Sequence, residues 1–116
     1  MTITYSAQPK PKAVTHKATK VKSTSAKLHG SVNPEGLKTT YYFEYGTTKS
    51  YGKTTAKHSL KAGTSAKGVS AAIKGLKPDT TYHFRVVAKN ASGTADGKDL
   101  TFKTAKAVAV APVFTG

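Results

Sequence analysis

This chain of 116 residues lacks some residue types altogether, and each absence narrows its chemistry. It contains no cysteine, which excludes a disulfide framework and any zinc or redox site built on thiolates. It contains no tryptophan, and Arg85 is its only arginine. Acidic residues number only five against 19 lysines and arginines, so the formal net charge is +14. Sparse acids and abundant cations are therefore the dominant features of the composition.

Lysine carries almost all of this positive charge. A lysine ammonium is a mobile, hydrated point charge, whereas an arginine can bind a phosphate or a guanine edge through two hydrogen bonds. The composition therefore favours diffuse attraction to an anionic surface over sequence-specific reading of nucleic acid. Improved solubility is the alternative explanation for the same charge.

Long apolar stretches are also missing. The longest, AVAVAPVF at 107–114, is far shorter than the roughly 20 residues that a membrane-spanning helix needs. The N-terminus lacks the basic region and apolar core of a secretory signal. We therefore expect neither a membrane span nor a signal peptide, and the start at Met1 is consistent with a complete gene product.

Apolar residues alternate between turn signals, and no helical period of 3.6 residues is sustained. The first strand is expected near Val14 and the second at 26–32, and NPEG at 33–36 predicts a type I turn. One or two short edge strands are expected after Gly46. The later strands are predicted in GVSAAIKGL, TYHFRVVAKN and DLTFKT. About seven short strands predict an all-β sandwich.

The aromatic segment YYFEYGTTKSYG could be either a core strand or a platform for stacking nucleic-acid bases. Alternation assigns Tyr41, Phe43 and Tyr45 to the core face, and Tyr42 to the opposite face. At most two rings then remain exposed, so the segment is mainly a core strand. The same rule directs Tyr82, Phe84, Val86 and Ala88 inward, and His83, Arg85, Val87 and Lys89 outward.

The segment LKPDTTY resembles the L-x-P-x-T-x-Y stretch before the sixth strand of fibronectin type III domains, with Leu76, Pro78 and Tyr82 at its fixed positions. In that family the tyrosine forms a corner, because its hydroxyl hydrogen-bonds to the backbone a few residues upstream. YHFRVVAKNASG resembles the sixth strand and the turn after it. SAKLHGSVNPEGLKTTYYFEYGTT is similar to the second and third strands of the bacterial and phage branch. The resemblance implies a seven-stranded immunoglobulin-like sandwich over roughly residues 12–104.

Two family features are missing. Most animal members carry a core tryptophan in the second strand, where this chain has Gly30, as is common in the microbial branch. The integrin-binding Arg-Gly-Asp tripeptide is absent, so animal-type cell adhesion has no support.

The predicted organisation is an N-terminal arm at 1–12, the domain at 13–104 and a C-terminal arm at 105–116. Both arms contain β-prone apolar residues that could add to the sheet edge of a neighbouring molecule. Frayed chain ends are the alternative. The candidate docking residues of the arms are Ile3, Tyr5, Val108, Val110, Val113 and Phe114.

The lysines are predicted to surround the domain rather than to line one groove. Arg85 and Lys89 fall in one outward row of a strand, and further lysines continue into the N-terminal arm. Such a distribution predicts broad, salt-sensitive adhesion. The candidate electrostatic surface comprises Lys10, Lys12, Lys17, Lys20, Lys22, Arg85 and Lys89.

Catalytic and cofactor signatures are missing. No histidine pair has a metal-ligand spacing with a third ligand nearby, no two acids can be placed as a catalytic pair, and no nucleophile elbow occurs. We therefore expect a non-enzymatic protein without metal or cofactor. Asn90 begins a formal glycosylation sequon, but the turn chemistry of NASG already accounts for that residue.

Three functions remain open at this stage. The first is a virion structural or accessory protein, such as a phage capsid decoration or tail-associated protein, which binds protein partners and an anionic envelope. The second is a spacer or weak polysaccharide-binding module of a secreted or cell-surface bacterial protein. The third, a non-specific nucleic-acid binder, requires Tyr42, Tyr51, Arg85 and Lys89 to share one exposed surface, and it is the least favoured.

Overall fold

Nine β-strands and no helix occur among residues 9–107, the part of the chain that this computed structural model describes. The alternation of inward apolar and outward polar residues accounts for the longer strands. In chain order the strands are β1 (Lys12–Thr19), β2 (Ser25–Asn33), β3 (Thr39–Gly46), β4 (Lys53–Thr54), β5 (His58–Leu60), β6 (Lys67–Lys74), β7 (Thr81–Asn90), β8 (Gly93–Asp96) and β9 (Leu100–Lys103).

The strands form two antiparallel sheets that enclose one core. The first sheet has the order β1-β2-β6. In the second, β3 and β7 are central, β4 and β5 pair with the same neighbour β3, and β8 and β9 both pair with β7. Nine strands therefore occupy seven positions, and the predicted all-β sandwich is confirmed.

Two of the seven strand positions are each occupied by two short strands, β4 with β5 and β8 with β9. In both cases the chain leaves the hydrogen-bonded ladder for a few residues between the two strands. Between β4 and β5, Thr55 bonds back to β3 twice, through its own N–H to the Phe43 carbonyl and through its Oγ1, which accepts from the Phe43 N–H. Between β8 and β9, the N–H of Gly97 donates to the Val86 carbonyl at 2.7 Å. Irregular pairing of this kind is common at sheet edges.

The core contains the residues that alternation directs inward. Leu28, Phe43, Phe84 and Val86 are fully buried. Tyr41 and Tyr45 only border the core and are partly buried. The prediction that Val87 faces solvent is wrong, because this residue is only 1% exposed. It lies between Tyr42 of β3 and Asp96 of β8 in the ladder, and these larger neighbours cover it.

Gly30 lies in β2 where the resemblance would place a tryptophan. A Cβ atom there would stand 3.1 Å from the Cβ of Val86 and 2.9 Å from the carbonyl oxygen of Val14. The two sheets are therefore already in close contact at this point, and no space remains for a large side chain.

The turn after β2 differs from the predicted type I turn. Glu35 and Gly36 both have positive φ, at 54° and 91°, and the Leu37 N–H donates to the Pro34 carbonyl. These features define a type I′ turn that begins at Pro34. The Asn33 side chain supports it, because Oδ1 accepts from the Glu35 N–H at 2.9 Å.

The chain enters and leaves the sandwich at opposite poles. At one pole, the buried Asn90 amide donates to the carbonyls of Pro9 and Pro34, at 3.0 and 3.4 Å. At the other pole, Ala105 donates to the Lys22 carbonyl and accepts from the Asp79 N–H. Contacts with the domain thus extend outward to residues that the sequence assigned to the arms.

Candidate interaction surface

The first sheet carries lysines without acids. Strands β1, β2 and β6 contain no aspartate or glutamate, and we call them the acid-free sheet. Among residues 9–107, Lys12 is the one lysine of these strands within ion-pair distance of an acid, at 3.7 Å from Glu35, and its side chain stays 77% exposed. The lysines of the acid-free sheet and of the loop after β1 are Lys12, Lys17, Lys20, Lys22, Lys27, Lys67 and Lys74.

Four of these lysines surround a shallow hollow of about 560 Å³ at one end of the sheet. Its lining includes Ala26, Ala72 and Ile73, whose small or apolar side chains leave the space open. Like charges at one hollow repel one another, so an anion that enters it relieves this repulsion. We call this feature the four-lysine hollow (Lys20, Lys22, Lys27 and Lys74).

The loop after β1 holds part of this hollow in place. Lys22 donates its N–H to the Ser25 carbonyl at 2.8 Å, and its carbonyl accepts from the Ala105 N–H. Lys20 has a positive φ of 49°, a conformation that is costly for a residue with a side chain. The backbone position of Lys22 is therefore set by these hydrogen bonds.

Two histidines occupy the middle of the same outer face. His16 of β1 and His29 of β2 are direct cross-strand partners. The His16 Nε2 lies 3.2 Å from the Ser31 hydroxyl, and the His29 Nε2 lies 2.6 Å from the Thr19 hydroxyl. Both histidines are engaged with neutral hydroxyls, so the face carries no negative charge near its centre.

The opposite sheet differs because its acids and its arginine neutralise one another. Arg85 of β7 lies 3.3 Å from Glu44 of β3 and 3.4 Å from Asp96 of β8. Its guanidinium also lies 4.9 Å from the ring centre of Tyr51. Arg85, a residue of the predicted electrostatic surface, is therefore already paired with two carboxylates and lies against a ring.

Tyr51 and His83 share the carboxylate of Asp99. The Tyr51 hydroxyl donates to Asp99 Oδ1 at 2.8 Å, and His83 Nδ1 lies 3.0 Å from Oδ2. Burial, with the Asp99 hydrogen bond, raises the pKa of Tyr51 to about 12. Burial alone would raise the pKa of Asp99, but the hydrogen bonds from His83 and Tyr51 and the nearby positive charges lower it below its usual value.

These contacts also engage the two rings that a platform for stacking nucleic-acid bases would use. Tyr51 is committed to Asp99 and Arg85, and Tyr42 lies beneath the ammonium of Lys57 at 5.8 Å from its ring centre. Burial and the charge of Glu44 raise the pKa of Tyr42. The rings therefore belong to a network within the sheet, not to an open stacking platform.

The other predicted residues are placed as follows. The Lys10 side chain lies against Gly93, and Lys89 is exposed on β7, away from the acid-free sheet. The Tyr82 hydroxyl accepts a hydrogen bond from the Lys77 N–H at 2.8 Å. Of the two residues that flank Lys77 in the sequence, Leu76 is buried and Pro78 is partly buried. The candidate arm residues Ile3, Tyr5, Val108, Val110, Val113 and Phe114 lie outside the described residues.

Sequence reasoning missed that one sheet has no acid. It expected lysines all around the domain, and exposed lysines do lie outside this sheet, for example Lys38, Lys57 and Lys98, but it did not separate the lysines from the acids. The signal was present, because 12–33 and 67–74 contain many lysines and no acid. Lys27, Lys67 and Lys74 were outside the predicted set, since only the strand order reveals that β6 lies beside β2.

Within residues 9–107, no three metal-ligating side chains lie close enough to hold an ion. The same residues contain no helix that is long and apolar enough to cross a membrane. Asn90 is 6% exposed and its amide is fully engaged, so the folded domain does not present this residue for glycosylation.

Solved structures share this architecture. The sensor domain of the anti-sigma factor RsgI4 from Pseudobacteroides cellulosolvens has a TM-score of 0.64 and 25% identity, over 81% of this chain and 93% of that one. The sixth fibronectin type III domain of human fibronectin type III domain containing protein 3 has a TM-score of 0.61 and 22% identity, over 97% and 98%. The fibronectin type III domain of the human KIAA0970 protein has a TM-score of 0.54 and 19% identity, over 90% and 82%.

The chain matches no protein-family model and no curated protein. The sheet order and the Tyr82 hydrogen bond nevertheless agree with the likeness to the human domains. This protein has the fibronectin type III fold.

Proposed function

We propose that this chain is a non-catalytic attachment module that docks on an anionic partner surface through the outer face of its acid-free sheet. The observation that carries the proposal is the division of charge between the two sheets. The strands of one sheet carry five lysines and no acid, whereas those of the other carry Lys53, Lys89 and Lys103 together with Arg85, which pairs with the acids Glu44 and Asp96. Attraction between exposed charges of this kind is long-ranged at low ionic strength and is screened by salt.

In its more specific form, the proposal is a virion accessory protein, such as a phage capsid decoration or tail-associated protein. Its support is the combination of a small sandwich, one sheet with lysines and no acid, and the positions of Pro9 and Ala105 at opposite poles. These features suit attachment to a repeated, acidic protein shell. The corresponding location is the virion surface.

A module of a larger bacterial protein is the second candidate. The likeness to the RsgI4 sensor domain favours it, because that similarity covers 93% of a bacterial domain at 25% identity. In this case the basic face would bind an anionic polymer of the extracellular or cell-surface environment, and the sandwich would act as a spacer or sensor.

Co-sedimentation tests the attachment face. The intact chain is mixed with virions of the phage, or with envelopes of the bacterium, whose genome encodes it. Sedimentation is then measured at a series of salt concentrations. We expect K17E/K27E/K74E to abolish sedimentation at low salt. The control K38E/K53E/K98E makes the same charge change at exposed residues outside the acid-free sheet and should sediment like the unmodified chain.

The outcome separates the alternatives. Binding to virions alone supports the virion role, and binding to envelopes alone supports the cell-surface role. Equal loss of binding in both triple variants would overturn the proposal, because adhesion would then depend on total charge and not on one face.

A further inference from the structure

Strand β6 has a long open edge. It pairs with β2 on one side, and no described residue pairs with its other side. Eight residues, Lys67–Lys74, therefore present a row of backbone N–H and C=O groups along the free edge of the acid-free sheet. Such an edge is a template for another extended chain.

The other sheet edges are less able to accept a strand. The pairing of β1 with β2 is irregular between His16 and Thr19, and β1 also packs across the sandwich against β7 and β9. On the second sheet, β4 and β5 contain two and three residues, and β8 and β9 contain four each. Among the described strands, β6 alone combines length with regularity.

The side chains of β6 permit close approach. Its middle six residues, GVSAAI, include no charge and no proline. On the outer face, Gly68, Ser70 and Ala72 are all small. A strand added beside them could therefore extend its own outward side chains across β6 without a clash.

The charge around this edge selects an acidic partner. Lys67 and Lys74 lie at the two ends of β6, and Lys27 is the cross-strand partner of Ala72. Because neighbouring strands lie about 4.8 Å apart, an added strand lies next to Lys74 of β6 and about 9.6 Å from β2, a distance that the long side chains of Lys27 and of a glutamate can bridge together. The four-lysine hollow continues this charge at the end of the sheet.

The same lysines disfavour a second copy of this chain as the added strand. Every copy carries a formal net charge of +14, and lysines on an edge are a known device against self-pairing. A like-charged copy must overcome this repulsion, whereas an acidic segment is attracted.

We propose that β6 accepts an extended acidic segment of a partner protein as a fourth strand of the acid-free sheet. This inference rests on the proposed attachment function and specifies how the partner is held. Main-chain hydrogen bonds to the edge would supply affinity. Alternate carboxylates, facing Lys27 and Lys74, would supply specificity and register.

Two synthetic peptides test strand addition on the intact chain. The first is an octapeptide that alternates glutamate with valine, and the second has the same sequence with alternate backbone nitrogens methylated. We expect the first to bind and to shift the backbone amide resonances of β6 with slowed hydrogen exchange along its free edge. The methylated peptide should bind at least about tenfold more weakly, because it cannot complete the ladder.

Paired variants test the edge and the charge separately. S70P and A71P change adjacent residues, and backbone N–H groups alternate between β2 and the free edge. One of the two prolines therefore removes an N–H that bonds to β2, and the other removes an N–H that points to the free edge. The variant whose thermal midpoint is unchanged is the one that lacks the free-edge N–H, and we expect it to lose peptide binding. K27E/K74E should weaken binding about tenfold, whereas K38E/K98E should leave it nearly unchanged.

The results distinguish this inference from the attachment function. Equal binding of both peptides would overturn strand addition and leave electrostatic docking intact. Failure of both peptides, with particle or envelope binding retained, would also overturn the acidic-strand partner. Self-association of the chain that is lost when residues 107–116 are deleted would assign the edge to a second copy and refute the inference.

Discussion

The Tyr82 side chain joins the core to the turn before β7. Its ring stacks on Phe102 at 5.6 Å between ring centres, and its hydroxyl accepts the Lys77 N–H. The Lys77 carbonyl in turn accepts from the hydroxyl of Thr104, a buried residue of the last segment. Both backbone polar groups of Lys77, its N–H and its carbonyl, are thus hydrogen-bonded.

Replacing Tyr82 by phenylalanine should remove the hydrogen bond to the Lys77 N–H. The ring can remain, but the Lys77 N–H loses its acceptor, so we expect a loss of roughly 1–3 kcal/mol in the free energy of unfolding. Urea denaturation measures the change. Y45F is the matched control, and it should have little effect. An unchanged midpoint for Y82F would contradict the tyrosine corner.

Single residues also show where sequence reasoning succeeds. Tyr82 and Phe43 were predicted correctly as core residues, because alternation within a strand depends only on local order. The ion-pair partners of Arg85 were not predicted, because they lie on β3 and β8, and only the sheet order brings those strands to the two sides of β7.

At the scale of elements, the loop between β3 and β4 is fastened to the second sheet. A Cβ on Gly46 would overlap the carbonyl of Tyr51, so the absence of a side chain lets the loop fold back on its own strand. Tyr51 has a positive φ of 59° and reaches Asp99 beside β9. The sequence predicted loops and one or two short strands here, but a contact across 48 residues has no local signature.

This attachment predicts a pH dependence at alkaline pH. The pKa of Tyr51 is raised to about 12 in the folded state, so folding favours the protonated hydroxyl. Its contribution to stability is fully present below the unfolded pKa of about 10, and it is lost as the pH rises through about 12. The unmodified chain should therefore lose stability over this interval relative to Tyr51→Phe.

Urea titrations at intervals between pH 9 and pH 12 would measure that difference. Comparing the two proteins cancels the effects of alkaline pH that both share. Y45F should follow the unmodified chain. Parallel curves for the unmodified chain and Tyr51→Phe would contradict the assigned role of the hydroxyl.

At the scale of the whole molecule, repulsion among lysines opposes the compact state. The five acids already lie beside cations: Glu35, Glu44, Asp79, Asp96 and Asp99 are all within ion-pair distance of a lysine, arginine or histidine. The lysines greatly outnumber them. The fold itself was predictable, because strand number, turns and the LKPDTTY segment agree. The distribution of charge was not, because it depends on which strands become neighbours.

Salt should therefore stabilise this protein. Screening weakens long-range repulsion more than it weakens pairs in contact, since the Debye length falls from about 30 Å at 0.01 M to about 3 Å at 1 M. We expect the thermal midpoint to rise between 0.01 and 0.5 M sodium chloride, as followed by circular dichroism. K17E/K27E/K74E should show a smaller rise. A falling midpoint would mean that attractive pairs dominate.

The two poles at which the chain enters and leaves also determine how the domain would respond to tension. Residue 9 is bonded at one pole and Ala105 at the other, so a pull on both ends acts along the strands. β1 and β2 would then slide past each other, and their cross-strand hydrogen bonds would be loaded together instead of opening one at a time. Under such a pull the sandwich would therefore resist by shear of whole strands, the geometry in which many hydrogen bonds must break at once.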